Sequence, residues 1–199
     1  MAARRTASDS GDRQLSLIER ARRDQLIQIT IDLVAEHGYA AASLTRIAQT
    51  AGITKGAVLY HFASKDAVVA AAHERVLGEL VAAVGAAVDM VPADQAPAAY
   101  VRRMVGHLAE RPDRMRVIMG AVIIGDIPDA PARWNPLASL LHDARQARGL
   151  PPGPDLRTLA VITGGAIDGI MGAHMQDGDF DARDAAETLI AMLETALFA

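Results

Sequence analysis

The stretch from residue 43 to residue 62, SLTRIAQTAGITKGAVLYHF, constrains this chain more than any other. Ser43 and Thr54 each precede a short helical run, and a hydroxyl at that place accepts from the free amides of a first helical turn. The runs Leu44–Ala51 and Lys55–His61 meet at Gly52, which tolerates the positive φ of a tight turn. Two short helices joined at a glycine make a helix-turn-helix. Ile47 faces inward, Ala48 is small where the helices cross, and Ile53 plugs the corner. Val58 and Phe62, four apart, bury one face of the second helix.

The other face of that helix has a different chemistry. Thr54, Lys55, Gly56 and Ala57 bring a hydroxyl, a cation, free backbone amides and little bulk. A helix amino end attracts anions through its amides and dipole. Tyr60, His61 and, just beyond, Lys65 add groups suited to phosphate oxygens, which position a protein on a duplex without reading sequence. Arg46 is a further candidate for phosphate or base contact, or a solvated surface arginine. A purely structural helical hairpin is the plainer alternative for the whole segment.

The rest of the chain reads as all-α. The first helix spans about 15–37, with Ile18, Leu26, Ile29, Leu33 and Val34 at three/four spacing, and Gly38 ends it. A long helix capped by Ser64 runs to about Met90. Five more follow, ending near Glu110, Ile124, Arg148, Gln176 and Phe198, with breaks at Pro92 and Pro97, at 128–131 and at 149–154. Aromatic residues are 4%, too few for a typical β-sandwich, and no strand pattern is seen. Cysteine is absent, so disulfides and thiolate metal sites are excluded. Apolar runs fall short of the roughly 18 residues of a membrane span, so a soluble, cytoplasmic chain with no membrane partner is expected. Residues 1–75 hold ten basic and eight acidic side chains (+2), and the remainder ten and sixteen (−6), which returns the overall −4. The basic front permits local phosphate binding.

At the residues just named the sequence closely resembles the TetR family of repressors. The matching pattern is Gly38-Tyr39, Ile47-Ala48, Ala51-Gly52-Ile53-Thr54-Lys55-Gly56, Leu59-Tyr60-His61-Phe62 and Lys65, within about residues 20–70. The remaining two thirds are similar only in length and helical content. The resemblance implies about nine helices, a homodimer on double-stranded operator DNA, and a small-molecule ligand that releases the DNA. By position it implies DNA contact for Ser43, Thr54, Lys55, Gly56, Ala57, Leu59, Tyr60, His61 and Lys65. Leu59 departs from the polar or aromatic residues sometimes found there, and Ala57 makes no side-chain hydrogen bond. Readout then leans on Lys55, thymine methyls and DNA shape.

The expected organisation is an arm at 1–14 carrying Arg4, Arg5 and Arg13, a DNA-binding domain at 15–63, and a sensing and dimerisation domain at 64–199. In the family the last two long helices of each subunit form a four-helix bundle. Gly165, Gly169 and Gly172, with Leu189, Met192, Leu193 and Leu197, are the candidate interface, because a glycine cluster suits close helix approach. Close packing inside the subunit is the competing explanation. A ligand pocket is expected among the fourth to eighth helices, with Met104, His107, Met115, Met119, Trp134, Leu141 and Met171 as candidates for its wall, or as ordinary core. Few of these are charged, so a mostly hydrophobic effector is expected. The histidines lack paired ligand spacing, and no metal, cofactor or enzymatic motif is found. A DNA-binding regulator without a small ligand, an activator, and a helical enzyme with an incidental hairpin are the alternatives.

Overall fold

The computed structural model describes residues 16–124, 133–151, 153 and 155–199, with backbone alone for 119–124. Among them run nine α-helices and no strand. These are α1 (Leu17–His37), α2 (Leu44–Ala51), α3 (Lys55–His61), α4 (Lys65–Asp89), α5 (Ala96–Glu110), α6 (Pro112–Ile124), α7 (Asn135–Ala147), α8 (Leu156–Gln176) and α9 (Ala182–Phe198). Single 3₁₀ turns at Tyr39–Ala41 and Ala93–Gln95 shorten two connections. The arm at 1–14 and the proline-rich stretch 128–131 lie outside the described residues.

Local chemistry explains the boundaries. Ser16 and Glu19 close a reciprocal capping box: Glu19 N–H donates to Ser16 Oγ at 3.2 Å and Ser16 N–H to Glu19 Oε2 at 2.8 Å. Ser43, Thr54 and Ser64 cap α2, α3 and α4 at 3.1–3.2 Å. Asp155 and Asp181 cap α8 and α9 with two backbone amides each. Gly38 (φ +77°) and Gly52 (φ +66°) turn the chain where a β-carbon would be strained.

α1, α2 and α3 pack around Leu26, Ile47, Ala48, Val58 and Phe62, all buried. The expectation for Ile18 is corrected: it is 82% exposed. It sits a turn ahead of the packed part of α1, where Leu26, Ile27, Ile31 and Val34 form the buried stripe. α4 runs from this bundle along α5, and α6 lies against α1. α5 is the centre of the larger body, packed against α4, α7, α8 and α9. α8 is long and apolar enough by length and composition to cross a membrane. Its sequence is interrupted by polar Asp168, and its buried side, with Ala160, Thr163, Gly164, Ile167 and Met171, faces protein.

Candidate DNA-reading face and apolar cavity

In α3, Val58 is buried at the core and Phe62, just past the helix end, is 4% exposed. Thr54, Lys55, Gly56, Leu59 and Tyr60 lie on the outside, with Tyr60 67% exposed. Ser43 and Arg46 at the start of α2 are exposed as well, while Ala57, His61 and Lys65 are half-buried. None of the ten residues named from sequence is buried in the subunit. The Thr54 hydroxyl accepts from Ala57 N–H at 3.1 Å, and Ser43 Oγ from Arg46 N–H at 3.2 Å, so both act as caps.

Three side chains that sequence reasoning missed hold this face. Arg23 of α1 donates to the His61 carbonyl at the end of α3 and stacks 4.1 Å from the Phe62 ring centre. Glu19 accepts from the Tyr60 hydroxyl at 2.9 Å while also closing the α1 cap. Tyr39 donates to Asp66 at 2.5 Å and lies under the Lys65 ammonium, 4.1 Å from its ring centre. The Ser16/Glu19 capping spacing was readable in advance; the reach of α1 to α3 was not, because it spans 38 and 41 residues.

The larger body holds a cavity of about 350 Å³ among α4 to α8. One face of α4 supplies Leu77, Leu80, Val81, Val84 and Val88. Across from it stand Met104, Ile118, Trp134, Leu140 and Ile167. Its polar margin is His73, Tyr100 and the pair Arg133–Asp168, joined by two 2.9 Å hydrogen bonds. Burial pushes the Tyr100 hydroxyl up to about 12, with Arg133 drawing it down and Asp168 adding to the rise. Of the residues named from sequence, Met104 and Trp134 line the cavity. His107, Met115, Leu141 and Met171 are buried beside it without lining it, and the Met119 side chain lies outside the described residues. Tyr100, Arg133 and Asp168 were missed: a charged pair 35 residues apart leaves no local pattern.

The glycines of α8 divide into two kinds. A β-carbon on Gly164 would fall inside the Trp134 indole, so this glycine serves packing within the subunit. At Gly165, Gly169 and Gly172 a β-carbon would meet nothing within 4 Å among the described residues. Beside them Val161, Ile162 and, on α9, Met192 (66% exposed) form an uncovered apolar strip. Leu193 and Leu197 are corrected from the expected interface to the subunit's own core, because they point to the inner side of α9. Leu189 is half-buried.

His107 sits in α5 with Nε2 buried and without a hydrogen-bond partner among the described residues. Burial first, then Arg103 and Arg111, lower its pKa from the ordinary 6.5, against Glu79 and Glu110. The unfolded chain then binds more protons than the folded one below about pH 6.5, so this residue's contribution to stability falls as the pH drops. Urea midpoints at about pH 7.5 and about pH 5.5 are expected to differ less in His107→Gln than in the parent. Equal differences in the two proteins would remove His107 as a cause.

The described residues thus join a helix-turn-helix with an outward second helix to a helical body that holds an apolar cavity. Residues 26–72, about a quarter of the chain, match the family model of bacterial regulatory proteins of the tetR family. It is 40% identical over 67 residues to the HTH-type transcriptional regulator BetI of Stenotrophomonas maltophilia, a match covering 34% of each chain. It is 37% identical over 59 residues to BetI 1 of Chromohalobacter salexigens, covering 30% of this chain and 29% of that one. The match thus spans about a third of the length of these relatives. The fold is similar over a longer reach. The fatty acid degradation regulator FadR of Bacillus halodurans superposes with a TM-score of 0.72 at 21% identity, over 86% of this chain and 94% of that one. FadR of Bacillus subtilis, solved with stearoyl-CoA, gives 0.68 at 18%, over 87% and 98%.

Proposed function

We propose that the chain is a cytoplasmic transcriptional repressor that binds a palindromic operator as a homodimer and is released by a small hydrophobic ligand. The observation that carries this reading is the outer face of α3, held by Arg23 and Glu19 with Lys55, Gly56 and Tyr60 outward. Recognition helices of this motif enter the major groove with their amino-terminal residues. Residues 15–63 would read DNA, and residues 64–199 would sense ligand and dimerise. Gly165, Gly169, Gly172 and Met192 are the proposed contact with the second copy, since nothing among the described residues occupies the space beside those glycines.

The path from cavity to DNA is physical. α4 and Ile118 of α6 form part of the cavity wall. Arg114 of α6, only 11% exposed, donates to Glu79 of α4 at 3.3 Å and to Gln28 of α1 at 3.3 Å. Arg116 donates to the Ala35 carbonyl of α1 at 3.3 Å. A ligand that shifts α4 against α6 therefore shifts α1, to which α3 is tied.

Selection from a random duplex pool supplies the operator for the test. Lys55→Ala is expected to weaken operator binding about tenfold near physiological salt and to lower the slope of log K against log salt by about one. A pool without enrichment, or a variant with parental affinity and slope, would overturn the reading.

A further inference from the structure

The geometry points to an uncharged ligand in the cavity: a largely apolar molecule with one oxygen acceptor, seated against the Tyr100 hydroxyl and the outer N–H groups of Arg133. That this molecule acts as the effector rests on the chain being a ligand-controlled regulator; its chemical class rests on the cavity alone.

Among the described residues the wall contains one arginine and no lysine, and that arginine is already neutralised. Both Arg133 Nη atoms donate to Asp168 at 2.9 Å, each side chain being 26% exposed. A carboxylate or phosphate entering here meets Asp168 beside its only strong cation. To form its own bidentate ion pair with Arg133 it must displace Asp168 and leave that carboxylate half-buried and unpaired, and at the outer N–H groups it gains only a cation that Asp168 already neutralises. An ammonium group faces the mirror problem, since pairing with Asp168 leaves Arg133 uncompensated. The intact pair presents close to zero net charge, and the remaining guanidinium N–H groups can still donate.

Tyr100 supplies the second anchor. No described residue bonds to its hydroxyl, which borders the cavity in a residue otherwise buried. It stays protonated far above neutral pH and so offers a donor to a ligand carbonyl, ether or hydroxyl oxygen. A ligand acceptor in the cavity can take this donor in place of solvent. Apart from His73 at the margin, the rest of the described wall is apolar side chains and the Trp134 indole, with Arg133 stacked 4.4 Å from the indole centre. A volume of about 350 Å³ stands at the lower end of pockets for drug-sized ligands, roughly 300–1,000 Å³.

Trp134 is the chain's single tryptophan, so its emission reports on this site. Decan-2-one, decanoate and decylammonium, matched in chain length and different in charge, are titrated into the full chain without DNA. Saturable emission change is expected for the ketone, with Kd at least about tenfold below those of both ions. Tyr100→Phe is expected to weaken the ketone by about tenfold. Asp168→Asn unmasks Arg133 and is expected to reverse the order, with decanoate tightest. Tighter decanoate or decylammonium in the parent protein, or no saturable response to any of the three, overturns the proposal. Ketone binding by a chain that enriches no duplex would sink the regulator reading and leave the ligand class standing.

Discussion

Arg145→Ala is expected to lower the unfolding free energy by about 2–4 kcal/mol, the range for losing several charge-assisted hydrogen bonds at a buried site. Arg145 is 5% exposed, and no carboxylate among the described residues pairs with it. Its charge is held by carbonyls instead. Nε and Nη2 donate to Pro151 O at 3.3 and 2.9 Å, and Nη1 donates to Leu197 O. Leu197 lies in the last turn of α9, where unsatisfied carbonyls carry the negative end of the helix dipole. One guanidinium therefore ties the end of α9 and the connection after α7 to α7 itself. Gly153 completes the seat, because a β-carbon there would collide with the guanidinium. Truncation leaves two carbonyls without their donor and a void where the side chain lay. Arg145→Lys keeps the charge but loses the planar fork, and a partial loss is expected. Urea midpoints at fixed protein concentration and unchanged m-value give the check. A loss under about 0.5 kcal/mol, the scatter of ordinary surface changes, would show that solvent satisfies these carbonyls.

Gly164→Val is the second large effect, expected at about 1–3 kcal/mol of destabilisation from overpacking. The Trp134 indole lies against the α8 backbone where the new side chain must stand. The indole has to swing toward the cavity, so the variant is expected to lose the binding of decan-2-one and to show shifted tryptophan emission. Gly165→Ala is the control one residue away. Its β-carbon meets nothing among the described residues, and alanine favours a helix by up to about 1 kcal/mol over glycine. In a monomer that change stabilises; across a close dimer contact it weakens association instead, which sedimentation resolves. Parental emission and stability in Gly164→Val would mean the indole does not rest on α8.

Element boundaries were legible because their causes are local. Ser43, Gly52, Thr54 and Ser64 mark their helices through bonds to amides three residues on or through a single φ angle; α2 and α3 begin and end, and α9 ends, where the sequence reading put them. The outer face of α3 was legible for the same reason: seven residues on one short helix settle which side is buried once Val58 is inside. The cavity wall was only partly legible. A methionine at helical spacing looks the same in a core as in a wall, and Met104 was separated from Met115 and Met171 only by the packing of α4 across from α5. α9 shows the same limit, since its apolar residues were readable but their division between Leu193 inside and Met192 outside was not.

Sequence alone determined the helix-turn-helix, since caps, turn glycine and small residue at the crossing all act within twenty positions. Tertiary structure alone decided what pairs across the chain: Arg23 with the end of α3, Arg133 with Asp168, Arg145 with the end of α9, and Trp134 against Gly164. These contacts join residues 30 to 52 positions apart. At such separations no spacing rule links the partners, and only the mutual packing of whole helices brings them into reach.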